Sequence, residues 1–272
     1  MTNINNSLVE RITLHYSKLT ESSRCVADYL QHNSEKILML STGEIAEACD
    51  VSKASVSRFI RQLGYDDHLA LRSEMMAERE QGIPVLTTNI DDSALQQEVK
   101  SLELLWTQLS DMNLDSLIEE IAAAKRVKVI GYRNSYPIAM HLRQQLMQCR
   151  AGVDLLPLPG QTLGEDLNAI EPDDFVIVVG IRRRVSNFAQ IIEQLAGQRV
   201  LLITDQSGQK YANDVSQVLV CSMNNQIPLD SYAVPMSLVS YLVNRIYIHL
   251  DSKASRVSRK ISASYTALNE LE

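Results

Sequence analysis

Apolar positions along this chain follow two rhythms, and the change from one to the other divides it. Through the first 80 residues they recur at helical spacing, with no convincing strand. "LTESSRCVADYLQHN" opens on Thr20, a good N-cap, and sets Val26, Tyr29 and Leu30 on one helical face. "STGEIAEACD" repeats the pattern with Ser41 or Thr42 as cap and Ile45, Ala46 and Cys49 facing inward. A third helix is predicted from Ser52 to about Leu63, ending at Gly64, a natural residue just past a helix terminus. After Lys125 the rhythm changes. "RVKVIG", "VDLLP", "DFVIVVGI", "RVLLITD" and "SQVLVCS" are short runs rich in β-branched residues, separated by helical stretches. Continuous apolar strands alternating with helices predict a parallel sheet covered on both faces.

Between the two regimes, "GIPVLTTNIDDS" (82–93) lacks periodicity and reads as a linker. A helix then runs from about Ala94 to Leu109, with Leu102, Leu105 and Leu109 at helical spacing and Trp106 beside them. The predicted fold class is therefore multidomain. An all-α helix-turn-helix unit spans 1–81, and a linker with a connecting helix spans 82–110. A doubly wound α/β parallel sheet with flavodoxin-like layering follows over 111–251, and a helical tail closes the chain over 252–272. The apolar stretch Ser231 to Leu250 suits an interface or the core equally well.

The densest motif is "GEIAEACDVSKASVSRFIRQLG". Ala46 is small enough for a second helix to cross closely. Asp50 occupies the turn, where a positive φ is needed and Asp is among the few non-glycine residues that tolerate it. Val56 and Phe59 complete a small shared core, the spacing two steeply crossed helices require. The second helix is predicted to be capped by Ser52 and to expose Lys53, Ala54, Ser55, Ser57, Arg58 and Arg61. From Ser52 to Leu63 there are three positive residues and no negative ones. Small side chains near the helix start allow approach to base edges, and Lys and Arg reach phosphates or guanine. The same geometry also occurs in helical bundles that do not bind DNA.

Charge and cysteine usage limit the remaining choices. A formal net charge of -7 over 272 residues argues against a broadly basic nucleic-acid coat, though not against one local basic patch. Cys25, Cys49, Cys149 and Cys221 are scattered without metal-ligand spacing, which fits reduced thiols in a cytoplasmic protein. The polar N-terminus does not read as a secretory signal, and no stretch reads as a membrane span.

From "LTESSRCVADYLQHN" through "VSRFIRQLGY" the chain resembles the N-terminal domain of RpiR-type (MurR-type) bacterial transcriptional regulators. These join a winged or extended helix-turn-helix to a C-terminal SIS (sugar isomerase) domain, and the later strand–helix alternation agrees in order and length. The resemblance implies a homodimer or homotetramer that binds double-stranded operator DNA and a small anionic effector, a sugar phosphate or carboxylate. In "VIGYRNSYPIA", a strand predicted over 127–131 leads into the loop. There Gly131 and Ser135 match the first SIS motif, a glycine and a loop leading to Ser at a helix start, with Arg133 and Asn134 between. Many SIS domains carry Ser-x-Ser-Gly-x-Thr after a later strand, where hydroxyls grip a phosphate. This chain has Gly180-Ile181-Arg182-Arg183-Arg184-Val185 there instead.

That departure weakens the case for a phosphosugar and substitutes arginines, which hold carboxylate or phosphate through a planar fork. A helix predicted to begin near Val185 would set the three cations against the positive end of its dipole, a placement that an anionic ligand would relieve. The alternatives are projection into water or pairing with Glu165, Asp166 or another chain. Gln161 and Thr162 precede a further helix as polar contacts, although Thr162 can equally be a cap. Thr204, Asp205, Asp230 and Ser231 are weaker candidates of the same kind. An isomerase would need a base. Glu165 and Asp166 are available, but His141 and His249 lie within helices, and no nucleophile elbow, phosphate loop, metal-binding pair or dinucleotide fingerprint is present. The sequence thus predicts a regulator rather than an enzyme, without cofactor or metal. An SIS isomerase with a helical extension is the alternative.

Overall fold

A computed structural model describes residues 8–33, 36–81, 92–223 and 229–271. The chain divides into two compact units: 1–97 with 224–230, and 98–223 with 231–272. The predicted linker 82–93 lies almost wholly outside the described residues.

The first unit is helical: α1 (Leu8–His15), α2 (Glu21–His32), α3 (Lys36–Met39), α4 (Thr42–Ala48), α5 (Lys53–Gln62) and α6 (His68–Gln81). Local chemistry sets each boundary. Thr20 accepts the Ser23 N–H at the start of α2. Ser41 and Glu44 form a reciprocal capping box on α4, in which the Glu44 carboxylate accepts the Ser41 amide at 2.8 Å. Ser52 accepts the Ser55 amide at 3.1 Å to start α5. Gly64 ends α5 at φ +92°. The interior gathers Ile12, Val26, Leu30, Ile37, Ile45, Val56, Phe59 and Ile60, all fully buried. Each such side chain contributes about 1.5–3 kcal/mol through apolar burial.

The second unit contains the C-terminal part of α7 (Asp92–Asp111), then α8 (Asp115–Ala123), β1 (Val127–Gly131), α9 (Ser135–Met147), β2 (Val153–Leu156), α10 (Gly164–Asn168), β3 (Phe175–Gly180), α11 (Phe188–Gln194), β4 (Val200–Thr204), β5 (Gln217–Val220), α12 (Ala233–Leu250) and α13 (Ser252–Leu268). The five strands are all parallel in the order β2-β1-β3-β4-β5. The pleat sorts their side chains into two cores. Val127, Val129, Phe175, Ile177 and Val179 meet helices α7, α8, α9 and α12 on one face. Ile130, Val176, Val178, Val200 and Leu202 meet Phe188, Ile191 and Ile192 of α11 on the other. The doubly wound prediction holds, down to the bounds of β1.

One open alternative is decided and one expectation is corrected. Helix α12 buries Val234, Leu238, Val239, Leu242, Val243 and Ile246 within its own chain, so the core role prevails for that stretch. No described helix is long and apolar enough to cross a membrane. The helix predicted near Val185 begins only at Phe188. The Arg182–Arg184 run therefore lies in the loop before it, and the argument from a helix dipole loses its geometry.

Candidate functional site

The first candidate surface is α5. Asp50 adopts φ +51°, as the turn required, and lets α4 cross α5 with Ala46 buried. Val56, Phe59 and Ile60 point into the core, so the opposite side of α5 is fixed in register. On that side Ser52, Lys53, Ala54, Arg58 and Arg61 are exposed and Ser57 is half-buried. Ser55 departs from the expectation: it is buried at 6% exposure, and its hydroxyl sits 2.9 Å from that of Ser52. The capping turn takes its polar atoms inward. Arg58 rests on its own helix through Nε to the Ala54 carbonyl. Lys53, Arg58 and Arg61 form no ion pair with any of the described residues.

The end of α5 is held from outside the helix. Arg11 of α1 donates to the Leu63 carbonyl at 3.4 Å and pairs with Glu74 of α6 at 3.3 Å. Tyr65 donates to the same carboxylate at 2.8 Å, and the Arg11 guanidinium lies 4.8 Å from its ring centroid. Helices α1 and α6, with Tyr65 between α5 and α6, thereby fix the exit of the exposed helix.

The second candidate surface is the carboxyl edge of the sheet where β1 and β3 neighbour each other, the place at which strand order reverses. Gly131 is a glycine for a steric reason: a Cβ there would meet the Ala139 Cβ at 2.7 Å and the Ser135 carbonyl at 2.9 Å. Ser135 is buried, and its Oγ accepts the Ile181 amide at 3.0 Å, tying the β1 loop to the β3 loop. Between them Arg133 is exposed at φ +53°, and Asn134 donates to the Tyr232 hydroxyl at 2.9 Å. Gly180 is also steric, since a Cβ would sit 2.3 Å from the Phe188 ring.

The arginine run separates into distinct roles. Arg184 pairs with Asp205 at 3.0 Å, with side-chain exposures of 13% and 4%. Its Nη1 also donates to the Gly180 carbonyl at 2.7 Å and reaches Thr204 Oγ1 at 3.2 Å, and its Nη2 donates to Ser207. Asp205 is filled by this network: Oδ1 also takes the Ser207 hydroxyl, and Oδ2 accepts the Arg182 amide at 3.2 Å. The carboxylate partner of Arg184 is thus Asp205, rather than Glu165 or Asp166. The parallel register sets Gly180 opposite Thr204, so the residue after β4 reaches the loop after β3. The side chains of Arg182 and Arg183 are half-buried along the same rim.

The remaining candidates lie at the rim or turn away. Gln161 is exposed. Thr162 donates to the Glu165 carboxylate at 2.9 Å and does not cap α10. Glu165 is held below the ordinary carboxylate range by its own backbone amide first and by Thr162 second, which makes it a weak base. Burial, then the nearby Asp166 charge, pushes the Tyr132 hydroxyl up. Ser231 donates to Glu98 at 2.7 Å and accepts the Ala233 amide. A narrow crevice of about 10 Å³, room for about one water, lies between these loops, where Tyr132, Ser135, Gly180 and Arg184 meet the apolar Ile130, Val178, Val185 and Phe188. Sequence reasoning overlooked Ser207, Tyr132 and Tyr232, which carry no motif. Asp205 was legible only as the residue ending a strand.

A helix-turn-helix unit and a five-stranded parallel α/β unit with a polar strand edge, carried on one chain, define a two-domain architecture of the regulator type. Residues 6–82 match the helix-turn-helix domain of the rpiR family, and residues 120–245 match the SIS domain. The chain belongs to the rpiR family of transcriptional regulators. It is similar to the uncharacterized HTH-type transcriptional regulator YfhH of Escherichia coli, 24% identical over 211 residues, covering 71% of this chain and 74% of that one. An uncharacterized HTH-type regulator of Clostridium perfringens is 25% identical over 182 residues, covering 63% and 64%. Among solved structures, Vibrio vulnificus NanR complexed with ManNAc-6P shares the fold at TM-score 0.55 and 18% identity, covering 96% and 99%. The sugar isomerase domain of an RpiR transcription factor from Sphaerobacter thermophilus does so at TM-score 0.55 and 23% identity, covering 62% and 97%.

Proposed function

We propose that this chain is a sequence-specific, cytoplasmic DNA-binding repressor of a metabolic operon, relieved or reinforced by a small anionic metabolite at the strand edge of its SIS domain. The observation that carries the reading is α5. It is a capped helix with one face locked into the core, and its exposed face carries three cations that pair with no carboxylate among the described residues. Ser52, Lys53, Ala54, Ser57, Arg58 and Arg61 supply base and phosphate contacts, while Ser55 serves the cap. Two half-sites would be read by a homodimer or homotetramer. For the α/β unit, Arg133, Asn134, Gln161 and the Arg182–Arg184 loop form the effector rim, with Gly131, Ser135 and Gly180 shaping it. That NanR was solved with a phosphorylated sugar derivative supports an anionic effector at this fold's edge.

The test is enrichment from a random duplex library on the full chain. A recurring two-fold motif is expected, and binding to it should fall sharply in Arg58→Ala/Arg61→Ala at matched salt. Failure to enrich any sequence would overturn the reading. The isomerase alternative predicts turnover of a sugar phosphate instead, a reaction for which the depressed Glu165 is poorly suited.

A further inference from the structure

The Arg184 guanidinium is only partly used by the chain. A guanidinium carries five N–H donors in a fixed plane. Both Nη1 donors are spent on Gly180, Thr204 and Asp205, and one Nη2 donor goes to Ser207. Nε has no hydrogen-bond partner among the described residues. What remains is the Nε–H and the second Nη2–H, which lie parallel along one edge. Arg184 lines the cleft beside Tyr132, Ser135 and Gly180, so this edge belongs to a residue at the strand mouth. Asp205, 4% exposed and fully occupied, fixes the plane from behind, and Phe188 lies 5.7 Å from the guanidinium carbon.

We infer that Arg184 is the specificity-determining residue of the strand-edge site and that it selects a carboxylate-bearing effector over a phosphorylated one. The inference rests on the effector role proposed for that edge. Two parallel donors match a planar carboxylate. A tetrahedral dianion would need further donors around it, and here the three hydroxyl positions of the SIS pattern are taken by Gly180, Arg182 and Val185. The dianion would also meet the Asp205 charge behind the guanidinium, where the monoanion meets it less. Asp205 acts as a positioning residue: it touches no ligand and sets the angle of the edge.

The experiment follows the 15N–1H signal of the Arg184 Nε in the full chain, assigned by its loss in Arg184→Lys. Acetate and gluconate form one arm of the titration; inorganic phosphate and glucose 6-phosphate form the other. The carboxylates are expected to shift the signal at concentrations at least about tenfold lower than the phosphates; in Arg184→Lys, whose single ammonium cannot present a fork, binding is read by the shift in melting temperature, and gluconate should no longer produce one. Asp205→Asn should keep the signal but narrow the preference between arms, an effect that simple loss of stability would not produce. If the phosphates bind first and still bind Arg184→Lys, the carboxylate inference falls while the effector site stands. If neither arm moves the signal or the melting temperature of the wild type, the effector reading falls with it.

Discussion

Two groups of arginines on this chain look alike in the sequence and behave oppositely in the fold. Arg58 and Arg61 stand on the outer face of α5 and pair with no carboxylate among the described residues. Arg184, at the end of β3, is pinned by a buried carboxylate, a carbonyl and two hydroxyls. The first pair costs the fold little and remains open to a polyanion. The second is part of the packing, with one edge left over. Density of positive charge along a chain therefore says little until the acceptors around each guanidinium are known.

The strongest way to break this comparison is Asp205→Ala. Removing a carboxylate that is 4% exposed leaves Arg184 with an uncompensated charge, and a loss of about 3 kcal/mol is expected in denaturant unfolding of the α/β unit. Arg58→Ala/Arg61→Ala should stay within about 0.5 kcal/mol of the wild type in the same assay. Its effect should fall instead on DNA, at about 1–3 kcal/mol for each base-reading arginine removed and with a shallower salt dependence. Equal destabilisation by the two changes would erase the distinction. Next in size is Gly180→Ala, which forces a methyl group against the Phe188 ring. An expected cost of about 1–3 kcal/mol would show that the glycine serves packing at the mouth rather than ligand approach.

Legibility followed the range of the interaction. Periodicity located the five strands of the sheet, and short-range chemistry gave Thr20 and Ser52 as caps, narrowed the α4 cap to Ser41 or Thr42, and gave Asp50 as the positive-φ turn residue, because those effects act within four residues. Asp50 offers a direct check. Asp50→Gly should hold or gain a few tenths of a kcal/mol, whereas Asp50→Val should lose about 1–2 kcal/mol at φ +51°. The departures from expectation arise where packing decides. Arg184 and Asp205 are 21 residues apart and meet only because β3 and β4 are parallel neighbours in a particular register. Ser55 has the composition of a DNA-facing residue, yet its hydroxyl is drawn inward by the cap it shares with Ser52. The start of α11 lies later than periodicity suggests because Val185, an apolar residue after the arginines, packs against the core from within a loop.

The smallest effect concerns an ion held at the surface. In the α4 capping box the Glu44 carboxylate lies below the ordinary carboxylate range because it accepts the Ser41 backbone amide first and interacts with the Ser41 side chain second. A carboxyl whose folded pKa is depressed contributes stability above its unfolded value, 4.5 for Glu, and loses it as pH falls through the folded value. Glu44→Gln keeps an oxygen that can accept the Ser41 amide but removes the charge. The variant should therefore melt slightly below the wild type at neutral pH, and the gap should close as pH drops below 4.5. Added salt should shrink the gap at neutral pH as well, because the group is exposed and screened. Salt should leave the cost of Asp205→Ala nearly unchanged, since that carboxylate is buried. A salt response shared by both variants would place Asp205 in solvent and take away the fixed plane on which the Arg184 edge depends.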